Sequence, residues 1–250
     1  MTSPATMPST PPRKKLVLFD IDGTILVTAG AGKRAFNRAL IDVFGCTGPD
    51  DHAFGGKTDP QIARELMRIE GKADDHIDER MADLLARYVG YLQEELERHP
   101  DAARVMPGIL ELIEALEARD DVIVGLLTGN HIDGARTKLD AANIGIDRFR
   151  VGAYGSDHEV RGELPAVAQR RAREQLGVHV AGCDIVVIGD TPADIDCGRA
   201  IGARAIAVAT GQYSVAELAE HKPAAVFEDL SDTRAAMAAI LSDMSPGATR

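Results

Sequence analysis

The run Leu16-Val17-Leu18-Phe19 passes without a break into Asp20-Ile21-Asp22-Gly23-Thr24. Consecutive large apolar residues with no polar alternation describe a strand buried on both faces, which is the habit of parallel sheets covered by helices. With Lys15 included this strand spans 15–19, and the stretches 122–127, 185–188 and 205–208 read the same way. Weaker apolar runs lie at 149–151 and 224–227. Between the strands, apolar residues recur at helical spacing. Such alternation specifies an α/β architecture in which helices wrap a parallel sheet. Ligands of these sheets gather outside the carboxyl ends of the strands, so the residues that close each strand become the functional candidates.

The alternation is broken once. Residues 28–104 contain no convincing strand and carry helical patterns at 33–44, 59–69 and 78–98. That length exceeds a single crossover connection and reads as an α-helical domain inserted into the core. It leaves directly after the first strand's loop and so should overhang that strand's carboxyl end. The expected organisation is an N-terminal tail over 1–13, a Rossmann-like core domain made of 14–27 and 105–241, the helical insertion over 28–104, and a C-terminal tail over 242–250.

Composition narrows the function classes. The 250 residues are 45% hydrophobic and 27% charged, which suits globular domains and excludes a disordered chain. Lys and Arg total 28 against 39 Asp and Glu, a net charge of −11, and that averaged field repels nucleic acid. An anionic ligand therefore needs a local cluster of cations or amides. Cys46, Cys183 and Cys197 contain no CxxC pair, so they supply neither a zinc knuckle nor a disulfide framework and point to a reducing cytoplasm. No window approaches the roughly 20 apolar residues that cross a bilayer. The short apolar run after Arg13-Lys14-Lys15 does not make a secretory leader, so no membrane association is expected.

A second pair of acids closes another strand: Ile185-Val186-Val187-Ile188 runs into Gly189-Asp190-Thr191-Pro192-Ala193-Asp194. Either pair alone is ordinary turn and helix-cap chemistry. Both pairs at two strand tips are a different matter, because like charges about 4 Å apart repel by on the order of 4 kcal/mol at an effective dielectric of about 20. Their convergence calls for a cation, and all-oxygen ligands select a hard one, Mg²⁺ best of all. At a third strand end, Leu127-Thr128-Gly129-Asn130 offers a hydroxyl and amides just before a helix that begins near residue 132, donors suited to phosphoryl oxygens. The same residues also make a plain turn.

In order along the chain, the segments 19–24, 127–130 and 189–194 resemble the first, second and fourth motifs of the haloacid dehalogenase (HAD) superfamily, in its Mg²⁺-dependent phosphatase branch. The resemblance extends over 14–241 and places the inserted helices where phosphoglycolate phosphatases and β-phosphoglucomutases carry an α-helical cap. It implies that Asp20 is a nucleophile forming an aspartyl-phosphate. It further implies that Asp22 protonates the leaving alcohol and then deprotonates water, while its backbone carbonyl ligates Mg²⁺. Asp190 would be the second carboxylate ligand, and Asp194 would act through water or by orienting its neighbours. Thr128, Gly129 and Asn130 would hold the phosphoryl group.

The third motif departs from the family pattern. Its usual Lys is replaced by Arg161 in Arg161-Gly162-Glu163-Leu164-Pro165, which can grip a phosphoryl group bidentately or pair with Glu159 or Glu163 at the surface. In the insertion, Phe54-Gly55-Gly56-Lys57-Thr58-Asp59 resembles the family's cap loop, which implies that Lys57 and Thr58 reach the leaving group. A solvated helix start is the alternative.

The implied activity is hydrolysis of a small phosphorylated metabolite of the phosphoglycolate phosphatase type, with Mg²⁺ as cofactor. The same residues could serve a sugar phosphomutase of the β-phosphoglucomutase type, which hands the phosphoryl group to a second hydroxyl. A catalytically idle binding module on this fold is a further reading. Retention of all four acids favours an enzyme. Asp22 argues against a dehalogenase, whose leaving halide needs no proton, and a phosphonate hydrolase would require an imine-forming cap lysine, for which the loop offers Lys57.

Overall fold

The computed structural model describes residues 13–242. The tails expected over 1–13 and 242–250 therefore lie almost entirely outside the described residues. At their inner edges, Arg13 pairs with Asp184 at 2.5 Å, and the Ser242 hydroxyl accepts a hydrogen bond from Arg204 at 2.9 Å.

Strand β1 (Lys15–Phe19) is central, and its residues divide between two cores by their alternation. Val17 and Phe19 join the core on one face of the sheet, Leu16 and Leu18 the core on the other. On one side β1 pairs in parallel with β4 (Val122–Leu127), which pairs with β5 (Val151–Ala153). On the other side lie β6 (Ile185–Gly189), β7 (Arg204–Val208) and β8 (Ala225–Phe227). The six-stranded order β5-β4-β1-β6-β7-β8 is parallel throughout. Helices α4 (Ile109–Glu117), α5 (Ile132–Ala141) and α9 (Thr233–Leu241) cover one face through Leu112, Leu139 and Ile240. The other face is covered by α6 (Leu164–Leu176) and α7 (Pro192–Cys197), while α8 (Val215–Glu220) packs Leu218 against β7.

Helices α1 (Ala31–Phe44), α2 (Asp59–Ile69) and α3 (Asp74–Arg98) share a separate core built on Phe36, Leu40, Leu66, Met67, Leu84 and Leu92. The chain enters and leaves this helical unit through two short antiparallel strands, β2 (Leu26–Val27) and β3 (Arg104–Val105), with Leu26 opposite Val105. A bond from Met106 N to Ile25 O at 2.9 Å ties the two crossings together next to the loop that carries Asp20 and Asp22.

Helix α1 starts two residues ahead of the expected 33, at Ala31, and two other elements depart further from the sequence expectation. Helix α3 begins at Asp74, four residues ahead of the expected 78, because Asp74 and Asp75 favour a helix N-terminus and extend it beyond the apolar repeat. Strand β5 lies two residues beyond the expected 149–151. Phe149 is apolar and buried, but it fills the core from a turn that follows a short 3₁₀ segment.

Candidate active site

Register brings the strand ends together. Phe19 sits opposite Leu126 on one side and Ile188 on the other, so Asp20, Thr128 and Asp190 emerge from neighbouring strands. Carboxylate oxygens of Asp20, Asp190 and Asp194 all lie within 4.8 Å of one another, and all three side chains are buried. The backbone is shaped around Asp190. A Cβ on Gly23, whose φ is +81°, would lie 2.4 Å from Asp190 Oδ2, and one on Gly211 would lie 1.8 Å from it. The Thr24 hydroxyl donates to Asp190 Oδ1 at 3.3 Å. Asp194 belongs to the capping box of α7: its Oδ2 accepts from Thr191 N at 3.0 Å, and its own N–H points back to the Thr191 hydroxyl.

One cation enters this acidic cluster. Arg161 is 6% exposed, donates through Nη2 to Asp194, and places the same nitrogen 3.2 Å from Asp20 Oδ1. Its Nε is buried without a hydrogen-bond partner. Burial pushes the Asp20 carboxyl up to about 7, with Arg161 opposing and Asp194 adding to the rise. Asp190 is pushed up to about 8 by burial and by the charges of Asp194 and Asp20. With Arg161 the one cation among the described residues paired with the cluster, the Asp20 and Asp190 carboxyls lie above the ordinary carboxylate range, which marks the place as short of positive charge.

Asp22 stands apart from the cluster. Lys138 of α5 donates to both of its oxygens, at 2.8 and 2.7 Å, and also to Asn130 Oδ1 at 2.6 Å. Asn130 Nδ2 in turn donates to Asp22 Oδ2 at 2.7 Å and to the Thr128 hydroxyl at 2.8 Å. Burial works against the ammonium of Lys138, but Asp22, Tyr88 and Asp59 outweigh it and hold the pKa above the ordinary lysine value. Sequence reasoning missed Lys138. The available signal was its place three residues after Ala135 and one before Leu139, on the arc of α5 that faces inward.

The helical unit roofs a cavity of about 480 Å³ whose lining includes Asp20, Asp22, Asp190, Thr128, Gly129, Asn130 and Arg161 below and Phe36, Phe54, Lys57 and Tyr88 above. Lys57 faces this space while paired with Glu65 at 2.6 Å and lying 3.2 Å from His52. Thr58 does not line it: the hydroxyl caps α2 by accepting from Gln61 N and donates to Glu159 O at 2.6 Å. Asp59 docks the unit on the core, since its N–H donates to Gly129 O at 2.8 Å and its Oδ2 accepts from His131 N at 2.7 Å. Arg64 adds an ion pair to Glu159 at 2.7 Å.

A family model described as HAD-hydrolase-like matches residues 160–233. A phosphoglycolate phosphatase of Pseudomonas syringae pv. tomato is 24% identical over 221 residues, covering 86% of this chain and 77% of that protein. Among solved structures, a hydrolase from Pseudomonas syringae superposes with a TM-score of 0.68 at 22% identity, covering 92% of this chain and all of that one. β-Phosphoglucomutase from Clostridium difficile superposes with a TM-score of 0.65 at 17% identity, covering 88% and 92%. Over 160–233 the chain is similar in sequence to the HAD-like hydrolases, and over most of its length it shares the fold of these solved structures. Among the described residues no helix is long and apolar enough to cross a membrane.

Proposed function

We propose that the chain is a Mg²⁺-dependent phosphomonoesterase for a small phosphorylated metabolite, with the phosphoryl group passing through an aspartyl-phosphate on Asp20. The observation that carries the reading is the juxtaposition of Asp20 with Asp190 and Arg161 at the floor of the roofed cavity. A rigid carboxylate nucleophile beside a cation able to hold the group under attack is what in-line phosphoryl transfer asks of a protein.

The donor set fits a hard divalent ion. Its atoms are all oxygen, glycines at 23 and 211 leave Asp190 its room, and the acids are short of positive charge. Asp20, Asp190 and the backbone carbonyl of Asp22 would hold Mg²⁺, with Asp194 in support through Arg161 and Thr191. Bound there, Mg²⁺ supplies the charge that lets the carboxylates stay ionised and draws density from the phosphoryl oxygens.

The chain's own groups do the rest. Arg161, the Thr128 hydroxyl and the amides of Gly129 and Asn130 hold the phosphoryl oxygens while Asp20 attacks phosphorus. Asp22 gives a proton to the leaving oxygen and later takes one from water. Residues 28–104 act as a cap that excludes bulk water, with Lys57 facing the leaving group and Thr58 serving the docking of the cap. A cavity of about 480 Å³ under such a roof suits a metabolite better than a phosphoprotein.

The test is hydrolysis of 4-nitrophenyl phosphate with Mg²⁺, followed by a panel of phosphorylated metabolites. Asp20→Asn should lower turnover by about 10⁴-fold or more, and EDTA should abolish it. Equal rates for the parent and Asp20→Asn would remove Asp20 from the chemistry and overturn the reading.

A further inference from the structure

Among the described residues, Lys138 is the one buried lysine, its ammonium reaches into the site from the core side, and none of the roles above uses it. Its side chain runs from α5 under the helical unit, ending beside Gly32 of α1 and the hydroxyl of Tyr88 of α3; a Cβ on Gly32 would lie 3.6 Å from Nζ. The residue is 4% exposed and still lines the cavity. Its partners are both oxygens of Asp22, the Asn130 amide oxygen and Tyr88.

A carboxylate has about four acceptor sites, two on each oxygen. Lys138 and Asn130 together occupy both sites on Asp22 Oδ2, and Lys138 occupies one on Oδ1. A single site remains, on Oδ1, and the Asp22 side chain, 45% exposed, lines the cavity. An ammonium that spans both oxygens fixes the plane of the carboxylate and presents that remaining site in one direction. The hydrogen bonds that Asn130 and Lys138 make to the Asp22 carboxylate are all donated to it, so the clamp is arranged for an Asp22 that accepts.

We infer that Lys138 is a positioning residue for the second half of turnover: it aims the open acceptor site of Asp22 at the water that releases the phosphoryl group from Asp20. The inference rests on the phosphomonoesterase reading above. In that step the water oxygen bonds to phosphorus and the bond between phosphorus and Asp20 breaks, its electron pair returning to the Asp20 carboxylate. One proton of the water passes to Asp22, and hydrogen phosphate departs. Asp22 loses this proton to solvent or to the next leaving group, and the clamp re-forms around the carboxylate.

Stopped-flow release of 4-nitrophenolate separates the halves, because nitrophenolate departs without needing a proton and its burst reports attack by Asp20 alone. In Lys138→Met the burst rate should stay within about 3-fold of the parent, while steady-state turnover falls about 30- to 100-fold, the range of a displaced general base. Burst amplitude should approach one nitrophenolate per active site as aspartyl-phosphate accumulates. Lys138→Gln keeps one donor in place and should show the same signature with a smaller loss, and the surviving burst reports a folded site in either variant. Burst rate and turnover falling together in both variants would overturn the inference, as would turnover left unchanged. Failure of the underlying reading shows separately, as turnover in the parent that does not depend on Asp20.

Discussion

Arg161 joins the stability of the site to the chemistry proposed for it. Its guanidinium lies buried between Asp194 and Asp20, and its Nε has no protein partner. Removing a cation from between two buried carboxylates leaves them uncompensated, at a cost of about 3–5 kcal/mol. Arg161→Ala should therefore lower the urea midpoint by that equivalent and lose activity. Arg161→Lys keeps the charge without the planar fork, so it should recover most of the midpoint while raising KM for a phosphate ester. A Lys variant no more stable than Ala would contradict this account. The sequence left Arg161 two fates, and the surface pair is not the one found, because Glu159 is taken by Arg64. The strand-tip acids were legible, since each is fixed by a local pattern of apolar run, acid and turn. Lys138 was not, because its meaning depends on a partner 116 residues away, and no local pattern reports which loop an inward-pointing lysine will meet.

Helix α2 was readable in full over 59–69, since Thr58, Asp59 and Pro60 signal a start and the apolar spacing carries the rest. What could not be read is that its first turn bonds to the core. Asp59 is an N-terminal helix residue by sequence, yet it is buried against the His131 amide, and burial, opposed by Lys138, pushes its carboxyl up to about 6. A carboxyl whose folded pKa lies above its unfolded value binds protons more tightly in the native state. Its contribution to stability is therefore present in acid, fully so below the unfolded value, and is lost as pH rises through about 6. Between pH 5 and 8 this amounts to about 1–1.5 kcal/mol. Asp59→Asn removes the titration and keeps an acceptor for His131 N. Its stability relative to the parent should accordingly improve by that amount from pH 5 to pH 8 in paired urea titrations. A constant difference across the range would show that Asp59 ionises as it does in the unfolded chain.

At the scale of the molecule, the parallel sheet was legible because both-face burial leaves uninterrupted apolar runs, and 15–19 and 122–127 match β1 and β4 in both bounds. β5 was misplaced because a short strand cannot be told from an apolar turn residue such as Phe149 by spacing alone. The strand order, which puts β1 between β4 and β6, is not written locally at all, yet it makes distant acids neighbours. Their meeting lays a local excess of negative charge on a chain whose net charge is already −11, and folding has to carry that repulsion. A divalent ion bound only by the assembled sheet edge should then stabilise the whole fold by mass action, by about 2.7 kcal/mol at a hundredfold excess over Kd. For a chain of this length that corresponds to a rise of about 5–10 °C in Tm on adding Mg²⁺ to EDTA-treated protein. Asp190→Asn removes one of the acids, so the metal-free variant should melt at or above the metal-free parent and should lose most of the Mg²⁺ response. A parent whose Tm ignores Mg²⁺ while Asp20-dependent phosphatase activity still requires it would mean that the ion arrives with the substrate rather than at a site formed by the strand tips alone.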